Sequence, residues 1–185
     1  MSLIEFIESV KYEKTDKYNL GYVHHFYNEL FTPIRNSVEN ILEIGIYKGH
    51  SLRLWHDYFE NARIVGIDIK IVPALENFHR IEQIQSDAYN LETLKKFKPS
   101  SFDIVIDDGP HTFESLDFFL KNYIKLVKPG GILVVEDIID TNWTHLLVKN
   151  IENMEYYVKH LGGLGRTERL KKKWSKGLDI IIVVV

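Results

Sequence analysis

Asn40-Ile41-Leu42-Glu43-Ile44-Gly45-Ile46-Tyr47-Lys48-Gly49 is the stretch that decides the fold of this chain. An apolar run carries one acid and closes on a glycine, and a second glycine stands four residues later, just before an amphipathic segment. From Ser51 to Phe59, the residues Leu52, Leu54, Trp55, Tyr58 and Phe59 fall at helical spacing. The pattern predicts strand, tight turn and helix, the unit that holds a nucleotide-like ligand at a helix N-terminus. Gly45 is expected to let the chain turn sharply, and Gly49 to let backbone and ligand approach closely.

Two ligand classes compete for such a turn. A dinucleotide site takes G-x-G-x-x-G, but Tyr47 stands where the middle glycine belongs. An S-adenosylmethionine site takes an acid late in the first strand and a looser glycine turn. Glu43 is that acid, placed to accept hydrogen bonds from the ligand's ammonium. Asp68 ends the next strand, Arg63-Ile64-Val65-Gly66-Ile67-Asp68, where a carboxylate can bind two ribose hydroxyls. Glu43 and Asp68 together favour S-adenosylmethionine; the bland alternative is a surface acid on an ordinary βα turn.

At 185 residues the chain has the length of one domain, 1–185, able to bury roughly two-thirds of its unfolded surface. It is 45% hydrophobic and 26% charged, the balance of an ordinary soluble globule. A net charge of -3 argues against nucleic acid as the partner. With no cysteine there are no disulfides, thiolate catalysis or Cys-zinc sites. The N-terminus alternates apolar and charged residues, unlike a secretory leader, and Ile180 to Val185 is too short to span a bilayer. No membrane partner and a cytoplasmic location are therefore the default expectations.

Residues 2–9 suit a short amphipathic helix, and Lys11 to Gly21 reads as polar and turn-like, with Thr15-Asp16-Lys17 inside it. Aromatics crowd Tyr22 to Phe31, so residues 1–36 are expected to supply helices that cover the ligand site as a lid. Phe26, Tyr27 and Phe31 as plain core residues are the equal alternative. Further on, Ile71 to Arg80 predicts a short helix, Ile81 to Gln85 strand three, and Tyr89 to Phe97 a helix. Ser86-Asp87-Ala88 follows strand three, where Asp87 can reach an adenine amino group with Ala88 beside it. Strand four is Ser101 to Asp107, followed by a helix from Leu116 to Val127 that Lys128-Pro129-Gly130-Gly131 stops. Ile132 to Val135 predicts strand five, Trp143 to Ile151 a helix, Met154 to His160 strand six and Leu178 to Val184 strand seven. Alternating strands and helices predict an α/β fold: a doubly wound, seven-stranded, mostly parallel sheet with its last strand antiparallel. The connection Gly162 to Gly177 is basic (Arg166, Arg169, Lys171 to Lys173) and reads as a solvated hairpin tip, or else as a clamp for an anionic substrate.

Strand four ends in Asp107-Asp108-Gly109-Pro110-His111 and strand five in Glu136-Asp137. In a doubly wound sheet ligands lie beyond the carboxyl ends of the strands, near the switch point. Asp108, Glu136 and Asp137 should converge there as three hard oxygen donors, a set suited to Mg2+, with manganese or calcium as alternatives. Three carboxylates so close repel one another without a cation, which itself argues for a metal. His111 follows Asp108 through a Gly-Pro turn, and a neutral imidazole beside a polarised hydroxyl suits a general base.

Val105-Ile106-Asp107-Asp108-Gly109-Pro110-His111, Val134-Val135-Glu136-Asp137 and Ile41-Leu42-Glu43-Ile44-Gly45 through Trp55 resemble the metal-dependent sugar O-methyltransferases of antibiotic biosynthesis. These are the macrocin and mycinamicin type, grouped with cephalosporin-hydroxylase-like proteins. Their usual Asp-Gly-Ser-His appears here as Asp108-Gly109-Pro110-His111. The similarity runs from about Thr15 to Trp143. It implies a Rossmann-like class I methyltransferase that uses S-adenosyl-L-methionine and Mg2+. It also implies Asp108, Glu136 and Asp137 as metal ligands and His111 as proton acceptor. Glu43, Ser51, Asp68, Asp87 and Asp107 would line the cofactor site, with Thr15 added. The acceptor would be a sugar-containing small molecule, shaped by the region beyond Trp143. An auxiliary domain that some relatives use in assembly is not expected here, which leaves homo-oligomer formation open. A catechol-type O-methyltransferase, or a nucleotide-binding module without turnover, remains the alternative.

Overall fold

The computed structural model describes residues 1–10, 12, 15–161 and 178–185. The basic connection from Gly162 to Gly177 lies outside the described residues, and with it both readings of that segment.

Seven strands form one sheet in the order β3-β2-β1-β4-β5-β7-β6. They are β1 Asn40–Ile44, β2 Arg63–Asp68, β3 Ile81–Gln85, β4 Phe102–Asp107, β5 Val127–Ile138, β6 Glu155–Leu161 and β7 Leu178–Val184. Strands β3, β2, β1, β4 and β5 pair in parallel, while β7 runs antiparallel to both β5 and β6. The expected doubly wound sheet with an antiparallel last strand is what forms. The order reverses between β1 and β4, so the crevice beyond their carboxyl ends is the place for a ligand.

Two apolar layers cover the faces. One gathers α1 Leu3–Val10, the N-terminal aromatics and α4 His50–Tyr58. The other gathers α6 Phe113–Tyr123 and α7 Thr141–Leu147. Alternation along β1 sends Leu42 and Ile44 to the second layer and Ile41 to the first, so Glu43 enters the first layer too. Helix α6 begins in a capping box between Thr112 and Ser115.

The short segments depart from expectation for local reasons. Residues 71–80 hold only a 3-10 turn, Pro73–Leu75, because the Gln83 amide takes the place of a helical ladder at Val72. Gln83 accepts from the Val72 backbone N–H at 2.7 Å and donates to its carbonyl at 3.1 Å. The helix expected from Tyr89 is only α5 Leu91–Leu94, since Asn90 is extended and caps it through the Glu92 N–H. The Lys128-Pro129-Gly130-Gly131 stop lies within β5: α6 ends at Tyr123, a 3-10 turn covers Ile124–Leu126, and the strand starts at Val127. A register shift between Phe102 and Ile104 on β4, with Gly130 at φ 78°, absorbs the proline. No helix among the described residues is long and apolar enough to cross a membrane.

The segment before β1 is core first. Short α2 Asp16–Asn19 leads through Gly21 to a π-helical turn, Val23–Tyr27, that runs on as α3 Asn28–Phe31. Tyr22, Phe26, Tyr27 and Phe31 are buried, and Tyr27 and Phe31 each pack edge-on against Trp55 of α4.

Candidate functional site

A cavity of about 440 Å³ opens beyond the ends of β1, β2 and β4. Gly45, Asp68, Asp87, Ala88 and Asp108 line it, as does Tyr89. The Asp68 carboxylate organises the glycine turn: Oδ2 accepts from the Ile46 N–H at 2.7 Å and the Tyr47 N–H at 3.1 Å, and Oδ1 from Lys70 N–H at 3.1 Å. Tyr47 at the mouth is 80% exposed and sits at φ 48°. At Gly45, φ is 89° and a Cβ would lie 2.0 Å from the Asp108 carbonyl oxygen, so no other residue lets β1 and β4 meet here. Gly49 is crowded differently. It precedes α4 at φ 75°, and a Cβ there would meet the Leu75 side chain at 2.6 Å.

Glu43, Ser51, Asp107 and Thr15 are buried and are not among the residues that line the cavity. Glu43 accepts from Ser51 Oγ at 2.6 Å and from Trp55 Nε1 at 2.5 Å. Asp107 accepts from the Tyr89 hydroxyl, and Gly109 leaves the room for that ring: a Cβ there would lie 2.0 Å from the hydroxyl oxygen. Burial pushes the Asp107 carboxyl up to about 7, against the Tyr89 bond that favours its anion. Among the described residues the other oxygen, Oδ2, has no hydrogen-bond partner.

Next to the cavity is the carboxylate cluster. Adjacent residues of a flat strand point to opposite faces, which would separate Glu136 from Asp137. The β5–β7 register shifts between Val135 and Ile138, and Asp137 takes φ 53°, so the bulge turns the strand end toward β4. His111 is also left-handed, at φ 54°. Of the four described non-glycine residues at positive φ, Tyr47, His111 and Asp137 belong to this rim, where strained backbone tends to collect.

The side chains divide into an inner and an outer set. On the inner side stands Lys17 of α2, fully buried, its Nζ 2.8 Å from Asp108 Oδ2, 2.8 Å from Glu136 Oε2 and 3.5 Å from Glu43 Oε1. The hydroxyl of Tyr27 donates to Glu136 Oε1 and that of Tyr22 to Asp137 Oδ1. Burial opposes the charge on Lys17, but Asp108, Glu136 and Glu43 outweigh it and hold the ammonium well above the ordinary lysine range. Burial likewise pushes the Glu136 carboxyl above the usual carboxylate range, with Lys17 pulling it back. On the outer side, His111 Nε2 lies 3.6 Å from Asp108 Oδ1 and 3.7 Å from Asp137 Oδ2.

Asp108, His111 and Asp137 each offer one ligand atom, all within 4.8 Å of one another. The two carboxylates are hard oxygen donors that suit Mg2+ or Mn2+, and the imidazole is a softer donor beside them. Glu136, the third expected ligand, gives its oxygens to Lys17 and Tyr27. Mutual repulsion is therefore no argument for a metal by itself, because the chain supplies a cation of its own. Lys17, Tyr22, Tyr27 and Tyr89 are the site residues that sequence reasoning missed. Lys17 sat in a polar turn, and the tyrosines looked apolar; a lysine flanked by aromatics was the available signal.

Comparison with known proteins agrees with this geometry. The family described as a methyltransferase domain matches residues 42–138. Mycinamicin VI 2''-O-methyltransferase of Micromonospora griseorubida is 35% identical over 135 residues, 66% of this chain and 34% of that protein. Demethylmacrocin O-methyltransferase of Streptomyces fradiae is 34% identical over 137 residues, with the same shares. The chain thus spans about a third of the length of these curated relatives. Among solved structures, the MycE methyltransferase of the mycinamycin pathway, in complex with Mg, SAH and mycinamycin VI, superposes with a TM-score of 0.63. It is 33% identical, covering 74% of this chain and 39% of that one.

Proposed function

The chain belongs to the methyltransferase-domain family, and from that membership we propose that it transfers a methyl group from S-adenosylmethionine to a hydroxyl of a sugar or glycosylated small molecule, with Mg2+ at the carboxylate cluster. One observation carries the proposal. Asp108 lines the cavity and also belongs to the carboxylate cluster, so methyl donor and acceptor hydroxyl would meet at one residue. The relatives named above are O-methyltransferases by name, and MycE was solved with Mg, SAH and mycinamycin VI.

In this proposal Asp68 binds the ribose hydroxyls while its carboxylate keeps the glycine turn in shape. Asp87 and Ala88 take the adenine end, and Gly45 lets the donor approach the β1–β4 crevice. Asp108, Glu136 and Asp137 would hold the divalent ion, and Mg2+ when bound would supply Lewis-acid polarisation of an acceptor hydroxyl. His111 Nε2 takes the proton from that hydroxyl. The two adjoining sites place oxygen and methyl carbon for in-line displacement, a gain of orientation over reaction in solution. Lys17, Tyr22 and Tyr27, from the segment before β1, close over the rim while packed in the core.

Calorimetric titration of the protein with S-adenosylmethionine, and separately with NAD, tests the donor. Methyl transfer to glycosylated acceptors with Mg2+ or with EDTA then tests the rest. Binding of NAD in place of S-adenosylmethionine would overturn the proposal.

A further inference from the structure

The inner side of the cluster holds a charge that the chemistry above does not use. Lys17 Nζ lies 2.8 Å from both Asp108 Oδ2 and Glu136 Oε2. A magnesium ion bridging those carboxylates would sit about 2.0–2.1 Å from its oxygens, in the same space. Ammonium and ion cannot both occupy it. The carboxylates do not depend on the lysine alone for their orientation, because Tyr27 holds Glu136 and Tyr22 holds Asp137. Lys17 itself rides on α2, a helix of only four residues that is followed by Gly21 at φ 90°.

We propose that Lys17 is a tethered cation that occupies the carboxylate cluster in exchange with the divalent ion. The ion enters as the ammonium withdraws, and its entry turns Glu136 from a partner of Lys17 into a ligand beside Asp108 and Asp137. The cluster is then charge-compensated in both states, and the ion's apparent affinity is lowered by the fraction of protein that keeps the lysine in place. This rests on the divalent-ion reading above, and two measurements separate the failure of one from the failure of the other.

The first uses the wild-type chain. Reductive methylation with formaldehyde and cyanoborohydride, read by peptide mass spectrometry, reports whether Lys17 is accessible. The side chain is 0% exposed, so modification should be slight without added ion and should rise with Mn2+ along the binding isotherm. The second compares Mn2+ affinity, by calorimetry or by electron paramagnetic resonance, between wild type and Lys17→Met. The variant should bind about tenfold more tightly or better, since no fraction of it is held in a competing state. Its melting temperature should also gain more from Mn2+ than that of the wild type.

Wild type that binds Mn2+ with Lys17 still protected overturns the exchange, even if Lys17→Met fails to fold. Weaker binding by a folded Lys17→Met also overturns it, and makes Lys17 a positioning residue for an ion seated on the His111 side. If neither protein binds Mn2+ or Mg2+, the divalent-ion reading falls and the exchange falls with it.

Discussion

Replacing Asp68 with alanine tests the cofactor site most directly, because one carboxylate there does two jobs. It accepts two backbone N–H groups of the glycine turn, at 2.7 and 3.1 Å, and a third from Lys70 at 3.1 Å. Hydrogen bonds to a charged acceptor contribute about 1.5–3 kcal/mol each when well buried. Asp68 is only half-buried and Tyr47 is exposed, so water can replace part of the loss. About 1 kcal/mol for each of the two turn bonds is the appropriate scale, hence about 2 kcal/mol for the turn. In this proposal the ribose hydroxyls add a comparable loss. S-adenosylmethionine affinity should fall at least about 30-fold, since 1.4 kcal/mol is a factor of ten. Asp68→Asn keeps one oxygen for the Ile46 N–H and should fall between wild type and alanine. Titration calorimetry measures both, with melting temperatures to monitor the turn separately. An Asp68→Ala protein with wild-type affinity would refute the placement of the ligand against β2.

The same geometry sets other outcomes. EDTA should abolish methyl transfer while leaving S-adenosylmethionine binding largely intact, as an activity assay beside a titration will report. His111→Ala should lower turnover by about 10²–10⁴, the range for a positioned general base, with cofactor affinity nearly unchanged. Gly45→Ala should destabilise the fold by about 1–2 kcal/mol from its left-handed backbone alone, and further from the Asp108 carbonyl, as read by denaturant unfolding. Asp107 binds its proton more tightly folded than unfolded, so stability in chelator should decline as pH rises from about 4 through about 7, and Asp107→Asn should flatten that decline.

The strand-turn-helix from Asn40 to Tyr58 was legible because its constraints are local. Alternation, the two glycines and the helical spacing all lie within about twenty residues, and β1 and α4 fall where they point. Strand ends carrying Asp108 and Glu136-Asp137 were legible through topology, since parallel neighbours bring their carboxyl ends to one rim. Two things were hidden. The bulge that turns Asp137 toward His111 depends on pairing between β5 and β7, which no local pattern encodes. Lys17 reaches Asp108 and Glu136 across 91 and 119 residues of sequence, and in its own neighbourhood it looks like part of a polar turn.

That long-range contact changes how the aromatic segment is understood. Lid and core were alternatives in the sequence, yet burial and chemistry coincide in the same residues. Tyr27 packs against Trp55 and Phe31 with its ring and donates to Glu136 with its hydroxyl. Trp55 in turn donates to Glu43, whose other oxygen receives Ser51 and faces Lys17. A buried charge left without its partner is strongly destabilising, so these buried carboxylates require the N-terminal segment as much as the segment requires the apolar face of the sheet. Among the described residues three carboxylates (Glu43, Asp108 and Glu136) face one ammonium while Asp137 stands beside Asp108 on the His111 side, and that surplus of carboxylates favours a further cation at the rim.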